Sequence, residues 1–162
     1  MRVLFRIART KHAMDLSGEG ARLAGGRWNH KGTPLIYTAS SRSLACLEAL
    51  VHMSQADFLI TRKIVLLELP RTIAPQTIDR SRLPGNWRQY PPSFKLADIG
   101  TQWAVSMKSL LLQVPSAVVP DEFNMLVNPA HPDMKHVKIT RIEDFLFDKR
   151  LDPSGNPIRG HL

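Results

Sequence analysis

The chain has 162 residues, 43% of them hydrophobic, and a net charge of +8, a composition that fits a single globular domain with a full core. No apolar run approaches the ~20 residues of a membrane span, and Arg2 and Arg6 interrupt the N-terminus before a signal-peptide core can form. The single Cys46 excludes an internal disulfide and fits a reducing, cytoplasmic location.

The first fifty residues carry eight Lys/Arg against three Asp/Glu. Such a bias favours an anionic partner: nucleic acid, a phosphorylated small molecule or an acidic protein. The basic residues of that segment are scattered singly, which weakens the nucleic-acid reading. Val3 to Ile7 alternates apolar and basic residues and predicts a first strand. Residues 10–34 hold five glycines and Pro34, and predict turns. Leu35 to Ala39 predicts a short strand, and Ser41 or Ser43 caps a helix running to about Met53. Lys63 to Leu69 predicts the clearest strand, stopped by Pro70.

Residues 70–98 contain five prolines with Trp87 and Tyr90 among them, an irregular excursion that reads either as a lid or as a loop pinned by its aromatics. Gly100 to Leu112 places Trp103, Met107, Leu110 and Leu111 at helical spacing and predicts a second helix. Ala117 to Val119, Phe123 to Val127 and Val137 to Phe147 predict strands, with a turn at Asn128 to Pro132 and a loose tail over 152–162. About six short strands with two irregularly placed helices make an α+β class.

Several residues bear chemistry. Gly25-Gly26-Arg27 combines glycines, which let a ligand approach the backbone, with a planar cation matched to phosphate; taken alone it favours a tight turn with a surface arginine. Glu48 lies beside the apolar stripe drawn by Leu44, Leu47 and Val51. A carboxylate there is either paired, with His52 one turn on, or faces a cleft and is used. Tyr37 sits mid-strand as a core residue or a stacking platform. Ser116 lacks the flanking glycines of a hydrolase nucleophile. Asn124 and Asn128, four apart, share a strand face. The six histidines fall into no metal spacing.

Gly20-Ala21-Arg22-Leu23-Ala24-Gly25-Gly26-Arg27-Trp28-Asn29, Tyr37-Thr38-Ala39, Leu44-Ala45-Cys46-Leu47-Glu48, Leu83-Pro84-Gly85-Asn86-Trp87, the run from Val114 to Asn124, and Asn128-Pro129-Ala130-His131-Pro132 together resemble the RES-domain family of bacterial toxins, over nearly the whole chain. The family's name-giving arginine, glutamate and serine match Arg27, Glu48 and Ser116. The resemblance implies an ADP-ribosyltransferase-like α+β fold and an NAD-consuming toxin that cleaves the nicotinamide–ribose bond by hydrolysis or phosphorolysis, or transfers ADP-ribose to a protein. It implies Glu48, Arg27 and Ser116 as catalytic, and Arg27, Trp28, Asn29, Tyr37, Ser116 and Asn124 as the NAD site, with no metal. The implied partner is an Xre-type antitoxin that covers the active site and carries its own DNA-binding domain; a homodimer stays open. The competing class is a basic nucleic-acid-binding module built on Trp28, Trp87 and Tyr90 near arginines.

Overall fold

The computed structural model describes residues 1–151; the expected loose tail lies outside the described residues. The elements are β1 (Arg2–Arg9), α1 (Glu19–Ala24), β2 (Ile36–Ala39), α2 (Arg42–Leu50), β3 (Arg62–Leu69), β4 (Gln76–Thr77), α3 (Phe94–Ser106), β5 (Leu111–Pro115), β6 (Phe123–Val127) and β7 (Lys138–Phe145), with short 3-10 turns between them. The strands form one seven-stranded sheet in the order β4-β5-β6-β2-β1-β3-β7, antiparallel throughout except for the β4–β5 pair. The class is α+β, as expected. No helix among the described residues is long and apolar enough to cross a membrane.

Side-chain alternation distributes the strands between two cores. On one face Leu111, Met125 and Val127 join Leu4, Val65, Leu67 and Leu69. On the other, Leu112, Val114 and Leu126 pack under α3 with Trp28, Leu96 and Trp103. A third, smaller cluster beneath α2 joins Ala39, Leu44 and Ala45 to Phe5 and Ile7.

Three expectations fail here. The second helix covers Phe94–Ser106, not 100–112. It starts where the Ser93 hydroxyl caps the Lys95 N–H, and stops at Met107, whose φ of 53° breaks the helix. Leu111 and Leu112 enter β5 instead, with Leu110 buried in the bend before it: a strand start buried on both faces is continuously apolar, and over a few residues periodicity cannot separate it from a helix. The strand placed at 117–119 is accordingly found at Leu111–Pro115, with 117–119 in the turn that follows. The segment read as all turn contains α1, one and a half turns long.

The helix α3 reaches the loop bearing Trp28 through Gly100. A Cβ built there would lie 1.9 Å from the Trp28 carbonyl oxygen, so only glycine allows this approach. Gly100→Ala is expected to lower stability by about 3 kcal/mol, since backbone on both sides must move; urea unfolding of the two proteins checks it.

Candidate active site

The helix α2 is capped by Ser41, whose Oγ accepts the Leu44 N–H at 3.1 Å. Its inward stripe is Leu44, Ala45 and Glu48, while Leu47 and Val51 are 36% and 55% exposed. Glu48 therefore follows the buried pair at i+3 and i+4, and the flanks assumed from sequence face outward. Its partners are not on its own helix. Ser116 Oγ donates to Glu48 Oε1 at 2.7 Å, and Asn124 Nδ2 donates to the same oxygen at 2.6 Å. Ser116 follows the end of β5 and Asn124 lies on β6, so the pairing with His52 is replaced by one across the sheet.

Ser116 is fully buried behind Glu48. Its Oγ accepts from the Val118 N–H at 3.1 Å and the Val119 N–H at 2.9 Å, which directs its proton to the carboxylate. Glu48 Oε2 has no protein donor among the described residues, and the side chain lines a cavity of about 960 Å³.

The same cavity is lined by Arg27. Its Nη1 donates to the carbonyls of Trp87 at 2.6 Å and Gln89 at 3.2 Å. Burial lowers its pKa, and the charge of Glu48 opposes that shift. Arg6 and Lys31 also line the cavity, and Glu48 is the acidic residue among its lining side chains. Arg6, not among the site residues expected from sequence, donates Nη1 to the Asp15 carbonyl at 2.5 Å. Its signal was the basic half of the alternation in β1. The mouth is flanked by Tyr90 and Phe94, 80% and 82% exposed. His30, beside Phe94, pairs with Asp98 at 2.7 Å. Among the described residues, no group of three or more His, Cys, Asp or Glu gathers as a metal set.

The Gly25-Gly26 turn serves the protein's own packing. A Cβ on Gly26 would fall 2.7 Å from the Tyr37 hydroxyl. That hydroxyl accepts the Trp28 N–H at 3.0 Å and donates to Asn29 Oδ1 at 2.7 Å. The Asn29 amide nitrogen is spent on the carbonyls of Ala21, His30 and Thr33. Asn29 is thus a buried brace for the loop, with no free hydrogen to offer a ligand. Trp28 is 3% exposed and its side chain belongs to the core under α3. Of the aromatics that suggested a nucleic-acid surface, Trp28 is interior and Trp87 is half-buried beneath Arg80, which leaves Tyr90. Asn124 and Asn128 do share a face, but a strand's rise separates their tasks: Asn128 donates to the Ala104 carbonyl at the end of α3.

An α+β sheet carrying one cavity lined by Arg6, Arg27 and Lys31, with a single oriented carboxylate, defines a small domain of enzyme-like build. The family model described as "RES domain" matches residues 3–148. The chain belongs to the RES-domain family. It is 42% identical over 146 residues to "Prs ADP-ribosylating toxin" of Sphingobium sp. (strain YBL2), covering 89% of this chain and 91% of that one. It is 40% identical over 155 residues to "Toxin Res" of Yersinia enterocolitica, covering 92% and 99%. Among solved structures it resembles a chain of the M. tuberculosis MbcT-MbcA toxin-antitoxin complex, with a TM-score of 0.70 over 90% of this chain and 84% of that one at 18% identity, a likeness of fold.

The Tyr37 hydroxyl gives a pH test of the brace. Its pKa is raised by burial, only partly opposed by the Trp28 N–H and by Arg27. The unfolded chain ionises this group near pH ~10 while the folded protein keeps it protonated, so its contribution is present below that pH and is lost above it, at about 1.4 kcal/mol per pH unit. Tyr37→Phe should cost about 1–3 kcal/mol at neutral pH, by stranding the Trp28 N–H and Asn29 Oδ1, and should flatten the alkaline fall. Urea midpoints of both proteins from pH 7 to 11 check both parts.

Proposed function

We propose that the protein is an NAD-consuming toxin whose cavity breaks the bond between nicotinamide and ribose. The observation that carries this reading is Glu48: a lone carboxylate in an otherwise cationic cavity, with one oxygen fixed by Ser116 and Asn124 and the other turned to the ligand space.

Bond cleavage sends the C–N electron pair to nicotinamide, which leaves neutral, and puts positive charge on the ribose, as in glycoside cleavage. A fixed anion beside that charge stabilises it without reorganising. Ser116 and Asn124 keep the anion aimed, and neither reacts. Arg27 holds the pyrophosphate through the guanidinium edge not bound to Trp87 and Gln89. Tyr37, its hydroxyl committed, offers its ring to the nicotinamide end. Asn29 and Trp28 act through the loop they brace. An acceptor then adds a lone pair to the ribose carbon and loses a proton. Water or phosphate completes NAD depletion. The name of the Sphingobium relative favours a second reading, in which a protein side chain takes the ADP-ribose. An antitoxin partner, of Xre type, covers the cavity mouth; the M. tuberculosis neighbour, solved as a toxin-antitoxin complex, supports a partner.

Purified protein should release nicotinamide from NAD, measured by chromatography with and without phosphate. Glu48→Gln should lose about 10²–10³-fold in kcat while still binding NAD, by the scale of removing one transition-state charge stabiliser. Expression of the unmodified protein alone should arrest growth, and Glu48→Gln should not. Full turnover by folded Glu48→Gln would refute the mechanism. Arg27→Ala should instead weaken NAD binding by calorimetry; an unchanged Kd would remove Arg27 from the phosphate role.

A further inference from the structure

The segment 79–92 leaves β4 and enters α3 without joining the sheet, yet it touches both halves of the site. Its Trp87 and Gln89 carbonyls bind Arg27. Its Arg88 Nε donates to the carbonyl of Ala117 at 3.2 Å, one residue beyond Ser116. Its Arg80 guanidinium lies 5.9 Å from the ring centres of both Trp87 and Phe123, and donates Nη1 to Asp121 at 2.7 Å. Phe123 precedes Asn124, the donor to Glu48. A continuous physical path thus runs from Glu48 through Asn124 and Phe123 to Arg80, and on through Trp87 to Arg27.

Arginine suits the central place. Its flat cation covers an aromatic face while still donating in its own plane, which a lysine ammonium cannot do. An arginine such as Arg27 has many rotamers to lose when it meets a ligand, and acceptors that fix it beforehand reduce that cost. The separation of a phosphate clamp from a carboxylate also decides whether the bond to be broken arrives in reach.

We propose that segment 79–92 is a strap that sets the position of Arg27 relative to Glu48, and that Arg80 is the positioning residue that fastens it. This rests on the NAD reading of the cavity. Arg80 touches no substrate; it acts through the Trp87 carbonyl on Arg27. The side chain is partly exposed and its ion pair is at the surface, so the fold does not depend on it.

Arg80→Lys keeps the charge and the pairing with Asp121 but loses the two-sided stacking. It should raise KM for NAD about three- to tenfold, the scale of exposed cation–π contacts with two rings, with kcat within about twofold and a melting temperature lowered by no more than about 5 °C. Arg88→Ala, which releases the other fastening, should show the same split. In an Arg27→Ala background Arg80→Lys should cause no further loss of kcat/KM, because the residue it positions is gone. Additive losses in the double variant, or a fall in kcat at unchanged KM, would overturn the strap. Absence of both nicotinamide release and NAD binding by the unmodified protein would overturn the NAD reading and the strap with it, whereas NAD use with an additive cycle would overturn the strap alone.

Discussion

A carboxylate on the inward stripe of a helix needs donors, and Glu48 takes both of its own from β6 and the end of β5. This demand organises the molecule. It requires α2 to lie over β1 and β2, and β6 to be paired with β2 so that Asn124 comes opposite Ala39. It also requires β5 to end where Ser116 can be buried behind the carboxylate with its lone pairs occupied by the Val118 and Val119 N–H groups. Because both donors converge on one oxygen, the other is held toward the cavity. A network that satisfies the fold is thereby one that leaves a negative charge exposed on a fixed bearing.

The positive side of the cavity is built by a different device. Arg27 projects from the tight turn closed by the Gly26–Asn29 bridge, outside any strand or helix, so its position depends on Gly26 yielding room to the Tyr37 hydroxyl, on Asn29 tying the turn to α1 and to the carbonyls of His30 and Thr33, and on the strap carbonyls. Gly100 brings α3 against the same loop from behind. The anion is fixed by strands and the cation by a braced loop. On the proposed function this division suits each part: a charge beside the reacting bond needs the rigid frame, and a clamp on a flexible pyrophosphate needs only a set distance from it.

Residue types that look like ligand groups in a sequence are here divided between ligand and brace. Asn29 and Trp28 stand beside Arg27 and share its motif, yet their polar atoms and rings are turned to the protein. Ser116 and Asn124 reach the chemistry through Glu48. Arg27, Trp28 and Asn29 all border the cavity, and adjacency along the chain carried the motif without saying whose polar atoms stay free, because that depends on the partners each side chain meets in the fold.

The α+β class, the clear strands at β1, β2, β3 and β6 and a serine-capped helix over α2 were legible from local patterning, whereas Arg27, Glu48 and Ser116 were drawn together only by the family resemblance, and the structure joins Ser116 to Glu48 and lines one cavity with Glu48 and Arg27. The extent of α3 and β5 was not legible, since Leu111 and Leu112 are apolar for a reason that lies outside the segment: both faces of the strand are covered. Nor could sequence choose between His52 and the cross-sheet donors for Glu48. The i+4 neighbour is visible in any helix, while Ser116 and Asn124 stand 68 and 76 residues away and meet the carboxylate only once seven strands are in order. The sequence by itself determined which groups are present and which local elements carry them. Tertiary structure alone decided which groups face each other, because that depends on strand order and register, which no local period encodes.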